Sequence, residues 1–229
     1  MQEFDKDTIE SLLRELGKRL SARGVHAEVF VLGGSAMAMA YSSRRVTMDI
    51  DAIFEPVEEV EREVEAMAKD MRLPKGWLNN AVRATLNGVL DDDSPWSAFE
   101  AEGVKVSIAS PEYILALKSM IHSRELDRDI EDAAVLCNLL GIDREDKIEA
   151  ITRRYFGKDS VFGAQELRLE RIIDRAETLR AAGVRPPGGV SADQMKFCEP
   201  SNAGGPCGHW MKISRRYCRL SAGHGGQHR

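Results

Sequence analysis

Two aspartates two residues apart, Asp49 and Asp51, stand in the run Arg45-Val46-Thr47-Met48-Asp49-Ile50-Asp51-Ala52-Ile53-Phe54. Alternation predicts a strand over 46–54, with Val46, Met48 and Ile50 on one face and Thr47, Asp49 and Asp51 on the other. Two carboxylates pointing the same way can share magnesium, which takes oxygen ligands and is usually held by one or two carboxylates plus substrate phosphates. Upstream, the apolar run Val29-Phe30-Val31-Leu32 ends in Gly33-Gly34-Ser35, and Ala36-Met37-Ala38-Met39-Ala40 follows. That pattern predicts a buried strand, a sharp turn, and a helix opened by Ser35. Two glycines let the backbone approach a ligand closely, and free N–H groups at a helix start attract phosphate. Together these features predict a site for a nucleoside triphosphate, with magnesium on Asp49 and Asp51 and the phosphates on Gly33, Gly34 and Ser35.

Other elements must position that site. Residues 5–22 read as an amphipathic helix carrying Ile9, Leu12, Leu13, Leu16 and Leu20. A charged helix is expected over Pro56–Met71, with Val57, Val60, Val64 and Met67 inside. Residues 72–102 suggest short strands or helical turns and an acidic loop at Asp91-Asp92-Asp93. Val104–Ile108 alternates as another strand. Ser110 then caps a helix with Pro111 in its first turn, and Lys118 falls mid-helix. A helix over about 125–140 should turn Leu126, Ile130, Ala133, Ala134 and Cys137 inward, and two more are expected at 143–155 and 164–182. Asp129 and Asp132 share a helix face, and Arg128 stands four residues before Asp132, an ion-pairing separation.

The glycine–serine turn followed by Arg45-x-Thr47-x-Asp49-x-Asp51 resembles the core of minimal nucleotidyltransferases of the polymerase-beta-like fold, in particular the AbiEii/MenT type. The resemblance continues through Trp77–Ala81, Ser110-Pro111-Glu112, Lys118 and Arg128–Asp132, and covers about four-fifths of the chain before fading near residue 180. It implies an α/β (α+β) architecture: a nucleotidyltransferase core with a short mixed sheet over 1–109 and a helical half over 110–182. It also implies transfer of a nucleotide from an NTP to an acceptor hydroxyl, with Arg45, Thr47 and Lys118 among the nucleotide-binding residues. Lys118 would reach the phosphates, and an aspartate of the 128–132 segment would serve the active site. Asp129 is the preferred one, because Asp132 has the intrahelical arginine. The family's toxins modify RNA ends, especially tRNA, so RNA is the expected acceptor and a cognate antitoxin an expected partner. An inactive nucleotide sensor, or an enzyme acting on a protein or small molecule, is the alternative. One departure stands out: many polymerase-beta-like enzymes carry a third metal carboxylate on a neighbouring strand, where this chain has Lys105 and Ser107. Either a helical aspartate replaces it or metal binding is impaired.

Charge is uneven along the 229 residues, whose net charge is −5. Residues 185–229 hold seven basic and two acidic groups, leaving 25 basic and 35 acidic groups in residues 1–184. An acidic body argues against a broadly basic nucleic-acid surface, and a basic tail suits contact with a polyanion. Lacking an 18-residue apolar run or a basic–apolar leader, the chain is expected to be cytoplasmic, with no membrane contact.

The glycine- and proline-rich stretch 183–197 reads as a linker, and 198–229 as a small metal-folded tail. Cys207, Cys218, His224 and His228, separated by ten, five and three residues, suit tetrahedral zinc, with Cys198 and His209 as spare donors. Four protein ligands leave no open position, so the zinc would be structural. So polar a segment needs metal to fold. Metal analysis of the full chain purified without chelator should therefore find one zinc per molecule, and removing it should leave nucleotide binding in the body intact. Absence of zinc with freely reactive tail cysteines would refute the site.

Overall fold

Helix α1 (Lys6–Ser21) begins where Asp5 accepts the Thr8 N–H at 2.9 Å, and it buries Ile9, Leu12, Leu13, Leu16 and Leu20 as their spacing predicts. The computed structural model describes residues 2–42, 45–86, 89, 91–92, 95–120 and 126–184. The linker from residue 185 and the four zinc candidates Cys207, Cys218, His224 and His228 lie outside the described residues.

Five strands form one mixed sheet in the order β3-β2-β1-β5-β4. They are β1 (Ala27–Val31), β2 (Ile50–Glu55), β3 (Leu78–Asn79), β4 (Trp96–Ala101) and β5 (Val104–Ile108). β1 runs parallel to β5 and antiparallel to β2, β3 is parallel to β2, and β4 closes a hairpin with β5. Register defines two faces. On one, Val29 lies between Phe54 and Val106, and Val31 between Ala52 and Ile108, all buried. Helices α1 and α3 (Val57–Asp70) serve this apolar face. On the other, Phe30 lies between Ile53 and Ser107, and Glu28 between Glu55 and Lys105. Lys105 and Ser107 thus share the face of Asp51, as their place in the alternation predicts. The result is an α+β fold with a mixed five-stranded sheet followed mostly by helices.

Two local expectations are corrected. The strand expected over 46–54 starts only at Ile50. Thr47 exchanges both backbone hydrogen bonds with the buried Phe4, at 2.7 and 3.0 Å, so this stretch is pinned to the N-terminal segment and bends at Asp49 before joining the sheet. The helix after β1 starts at Gly33 rather than Ser35: α2 (Gly33–Ala36) has Leu32 as its capping position and widens into a π-helical turn over Met37–Tyr41. Tyr41 ends that turn by donating its hydroxyl to the Ala109 carbonyl at 2.7 Å.

Residues 72–86 hold β3 and the short α4 (Val82–Thr85), and Trp77 is buried with its indole N–H on the Val64 carbonyl. Ser110 caps α5 (Pro111–Met120) as expected, its Oγ accepting the Tyr113 N–H at 3.1 Å. Asp92 is buried beneath it and takes both the Ser110 N–H and hydroxyl, at 2.6 and 2.9 Å. The acidic loop is thus partly structural. Helices α6 (Leu126–Leu140), α7 (Glu145–Phe156) and α8 (Ala164–Ala181) complete the helical half. Ile130, Ala133, Ala134 and Cys137 point inward, but Leu126, expected with them, is 38% exposed at the first turn. Burial pushes the Cys137 thiol up to about 12, which suits an inert core position.

Pairs between α6 and α8 advance in the same direction: Asp127 with Arg171, Glu131 with Arg175, Asn138 with Arg180. The two helices therefore run parallel. Among the described residues, no helix is long and apolar enough to cross a membrane.

Gly17 permits a close helix–sheet approach. A Cβ there would stand 2.4 Å from the Glu102 carbonyl oxygen and 2.5 Å from Val104 Cγ1. Neither the backbone nor a buried valine can yield that much without displacing α1. Gly17→Ala should destabilise the chain by about 1–3 kcal/mol, a fall of several degrees in Tm, measured by thermal denaturation.

Candidate active site

The bend before β2 and the first residues of β2 bring the two aspartates together. The Asn79 side-chain amide, offered from the adjacent β3, donates to Asp49 Oδ2 and Asp51 Oδ1, both at 3.2 Å. The convergence expected from i, i+2 spacing therefore exists, although Asp49 precedes the strand rather than sitting in it.

The glycine turn abuts this pair. Gly33 has a φ of +56°, and a Cβ there would lie 3.0 Å from Asp51 Oδ2. At Gly34 a Cβ would meet Thr47 Oγ1 at 3.1 Å and Arg45 Nη2 at 3.2 Å. The glycines thus admit the carboxylate, the threonine and the arginine to the turn. Ser35 is fully buried; its hydroxyl donates to the Leu32 carbonyl at 3.0 Å and accepts the Asp51 N–H at 3.1 Å. That hydroxyl braces the start of β2 against the turn. The donors suited to phosphate are the first-turn backbone N–H groups, which have no intrahelical partner.

Lys118 is not a solvated lysine. Its side chain is 12% exposed, and Nζ lies 2.5 Å from Asp129 Oδ1 and 3.0 Å from Asp132 Oδ2. Asp132 also meets Arg45 Nε at 3.2 Å, and Asp129 Oδ2 lies 3.5 Å from Nη2 of the buried Arg168. An alternating row of charge results: Arg45, Asp132, Lys118, Asp129, Arg168. It ties the glycine turn to α5, α6 and α8. Asp129 and Asp132 are both buried, so neither belongs to a surface salt-bridge cluster. Asp132 finds cations on two other elements, so an intrahelical arginine is not what separates its role from that of Asp129.

Burial holds the Asp51 carboxyl above its ordinary range, opposed by the Asn79 hydrogen bond and the nearby Lys118 charge. Lys118 therefore acts electrostatically on Asp51 as well as on the helical aspartates. The donor set fits magnesium: two converging carboxylates, with the remaining octahedral positions left to water and substrate oxygens. Among the described residues, no group of three or more His, Cys, Asp or Glu side chains is placed to hold a metal. Asp129 and Asp132 are engaged instead with Lys118, Arg45 and Arg168. A cleft of about 400 Å³ beside His26, Glu28, Glu55, Glu100 and Lys105 is lined by none of the expected site residues.

Asn79 and Arg168 were not singled out from sequence. Asn79 lies inside the Trp77–Ala81 segment that carries the resemblance, which marked the region but not the residue. Arg168 is one of many charged residues on an amphipathic helix, and its inward position depends on packing against α6.

The raised Asp51 pKa has a stability consequence. A carboxyl whose folded pKa lies above its unfolded value favours the fold at low pH, and that contribution is lost as pH rises through the folded value. At neutral pH the ionised Asp51 is therefore a burden on the fold, and Asp51→Asn should raise Tm there. The gain should shrink as pH falls through the raised folded value and be gone once the usual carboxylate range is reached. Melting curves between about pH 4 and 8 would reveal a pH-independent or reversed effect if burial were not the cause.

Compared with known proteins, the chain matches no family model, no curated protein and no solved structure.

Proposed function

We propose that this chain is a magnesium-dependent nucleotidyltransferase that moves a nucleoside monophosphate from an NTP to an acceptor hydroxyl. The observation that carries this reading is the convergence of Asp49 and Asp51 on Asn79, beside a glycine turn and within electrostatic reach of Lys118. Magnesium on Asp49 and Asp51 would supply Lewis acidity at the α-phosphate and neutralise charge on the triphosphate. The N–H groups of the Gly33–Ser35 turn receive phosphate oxygens. Arg45 and Lys118 offset the remaining negative charge, and Thr47 sets the wall of the turn. The acceptor oxygen attacks the α-phosphorus in line as the bond to the β-phosphate oxygen breaks and pyrophosphate leaves.

RNA, and a tRNA end in particular, is the proposed acceptor, on the family resemblance and on the basic composition of residues 185–229. The same resemblance proposes a toxin role with a cognate antitoxin, and a structural zinc in the tail. A second reading, an inactive nucleotide sensor, is favoured by Lys105 and Ser107 on the face where many polymerase-beta-like enzymes carry a carboxylate.

Incubating the purified chain with each labelled NTP, magnesium and total RNA separates these readings. Label in RNA supports the proposal, label on protein or small molecules moves the acceptor, and nucleotide binding without transfer supports the sensor. Asp49→Asn and Asp51→Asn should each lower transfer about a hundredfold or more while the fold persists. Full activity in the double variant would sink the mechanism. Lys118→Ala should raise the KM for NTP about tenfold, whereas Lys105→Ala, an exposed lysine, should change it less than about twofold. Equal effects would remove Lys118 from the site.

A further inference from the structure

Asn79 stands across from Asp51 in the register of β3 with β2, and the strand that carries it is anchored. The Ile50 N–H donates to the Trp77 carbonyl at 2.7 Å, and the buried Trp77 indole N–H is held by the Val64 carbonyl. The side chain of Asn79 is oriented as well as placed. Its Oδ1 accepts the Ala81 N–H at 3.1 Å; an amide nitrogen could not take that donor, so the nitrogen faces the aspartates. That nitrogen has two hydrogens to give, and it meets Asp49 Oδ2 and Asp51 Oδ1, both at 3.2 Å. Two ionised carboxylates gathered on one nitrogen repel each other, and a shared donor offsets the repulsion without adding charge. The contacts also select atoms. They engage Asp51 Oδ1, whereas Asp51 Oδ2 lies on the side of the glycine turn, 3.0 Å from where a Cβ of residue 33 would stand.

We infer that Asn79 is a positioning residue for the divalent cation: its amide holds Asp49 and Asp51 converged before metal arrives and directs the cation to Asp51 Oδ2, beside the Gly33–Ser35 turn. The inference rests on the nucleotidyltransferase reading of the aspartate pair and deepens it. A cation at that oxygen adjoins the backbone N–H groups proposed for phosphate, so the carboxylates and the triphosphate can share it. Asn79 itself touches neither substrate nor the reacting atoms in this role. Without its donors the carboxylates would move apart, and the cost of gathering them would fall on metal binding; hydrogen bonds that orient ligating side chains commonly matter to affinity by 10- to 100-fold. A side chain that merely shaped the entry to α4 would need only Oδ1, the acceptor for Ala81. The two roles therefore use different atoms of one amide.

Manganese(II), which favours the same oxygen ligands as magnesium, is the probe, titrated alone into the full chain while the free ion is followed by electron paramagnetic resonance. The Asp49→Asn/Asp51→Asn double variant measures manganese bound elsewhere on the chain. Above that background, Asn79→Ala should weaken manganese binding about tenfold or more. Where Asn79→Ala does not fold, Asn79→Ser, too short to reach both carboxylates, takes its place. Unchanged or tighter binding would overturn the inference, as would a parent chain that binds no more manganese than the double variant. Asn79→Asp tests the donors by themselves, because it keeps an acceptor for the Ala81 N–H and puts a third carboxylate where the donors were. Before manganese is added, its Tm at pH 8 should lie several degrees below that of the parent, and the deficit should vanish in the Asp49→Asn/Asp51→Asn background. A Tm equal to the parent's, or a deficit that persists in that background, would reduce Asn79 to the turn at Ala81 and overturn its role toward metal. Manganese bound through this pair with no transfer from any NTP would fell the nucleotidyltransferase reading and leave the role of Asn79 standing.

Discussion

The grip of Asp129 and Asp132 on the Lys118 ammonium is the interaction on which the arrangement of the site depends. It lies where the sheet half meets the helical half, and each partner comes from a different requirement of the fold. Lys118 is carried by α5, whose start is set by Ser110 and Asp92 beside β5. Both aspartates are carried by α6, on the side where Ala133 and Leu136 are also buried. Burying charge is unfavourable unless it is paired, so these three groups constrain how α5 and α6 dock. Arg45 and Arg168 extend the same constraint to the glycine turn and to α8.

The two ends of this network differ in character. At the glycine turn, space is the limiting quantity: side-chain atoms of Asp51, Thr47 and Arg45 stand where a Cβ would otherwise be. At the other end, burial is the limiting quantity, since Asp129 and Arg168 are each less than a tenth exposed. A tight turn beside an enclosed row of charge suits the proposed site, in which the turn would be preorganised for phosphate.

Features of the chain that depend on near neighbours were legible in its sequence. Ser110 caps its helix at the position its type suggests, α1 buries the residues its period selects, and Asp49 and Asp51 converge, though through a bend at Asp49 rather than along one strand. Features created by pairing across many residues were not. Thr47 leaves the expected strand because Phe4, 43 positions earlier in the chain, takes its backbone. Ser35 turns inward because the Asp51 N–H at the edge of the turn needs an acceptor. Asn79 and Arg168 belong to segments whose composition does not distinguish them from neighbouring polar residues. Their roles follow from the order of strands in the sheet and the parallel docking of α6 and α8.

The pairs between α6 and α8 have a further consequence. Asp127–Arg171 and Glu131–Arg175 lie at the surface, where salt screens them, whereas Asp129–Arg168 is enclosed. The outer pairs act as a vernier: each favours the same axial alignment of α8, and one helical turn of slippage would carry Arg168 about 5.4 Å along α6. Ionic strength therefore bears on the outer pairs, while burial shields the inner charges and the apolar face of α8 keeps the helix in place.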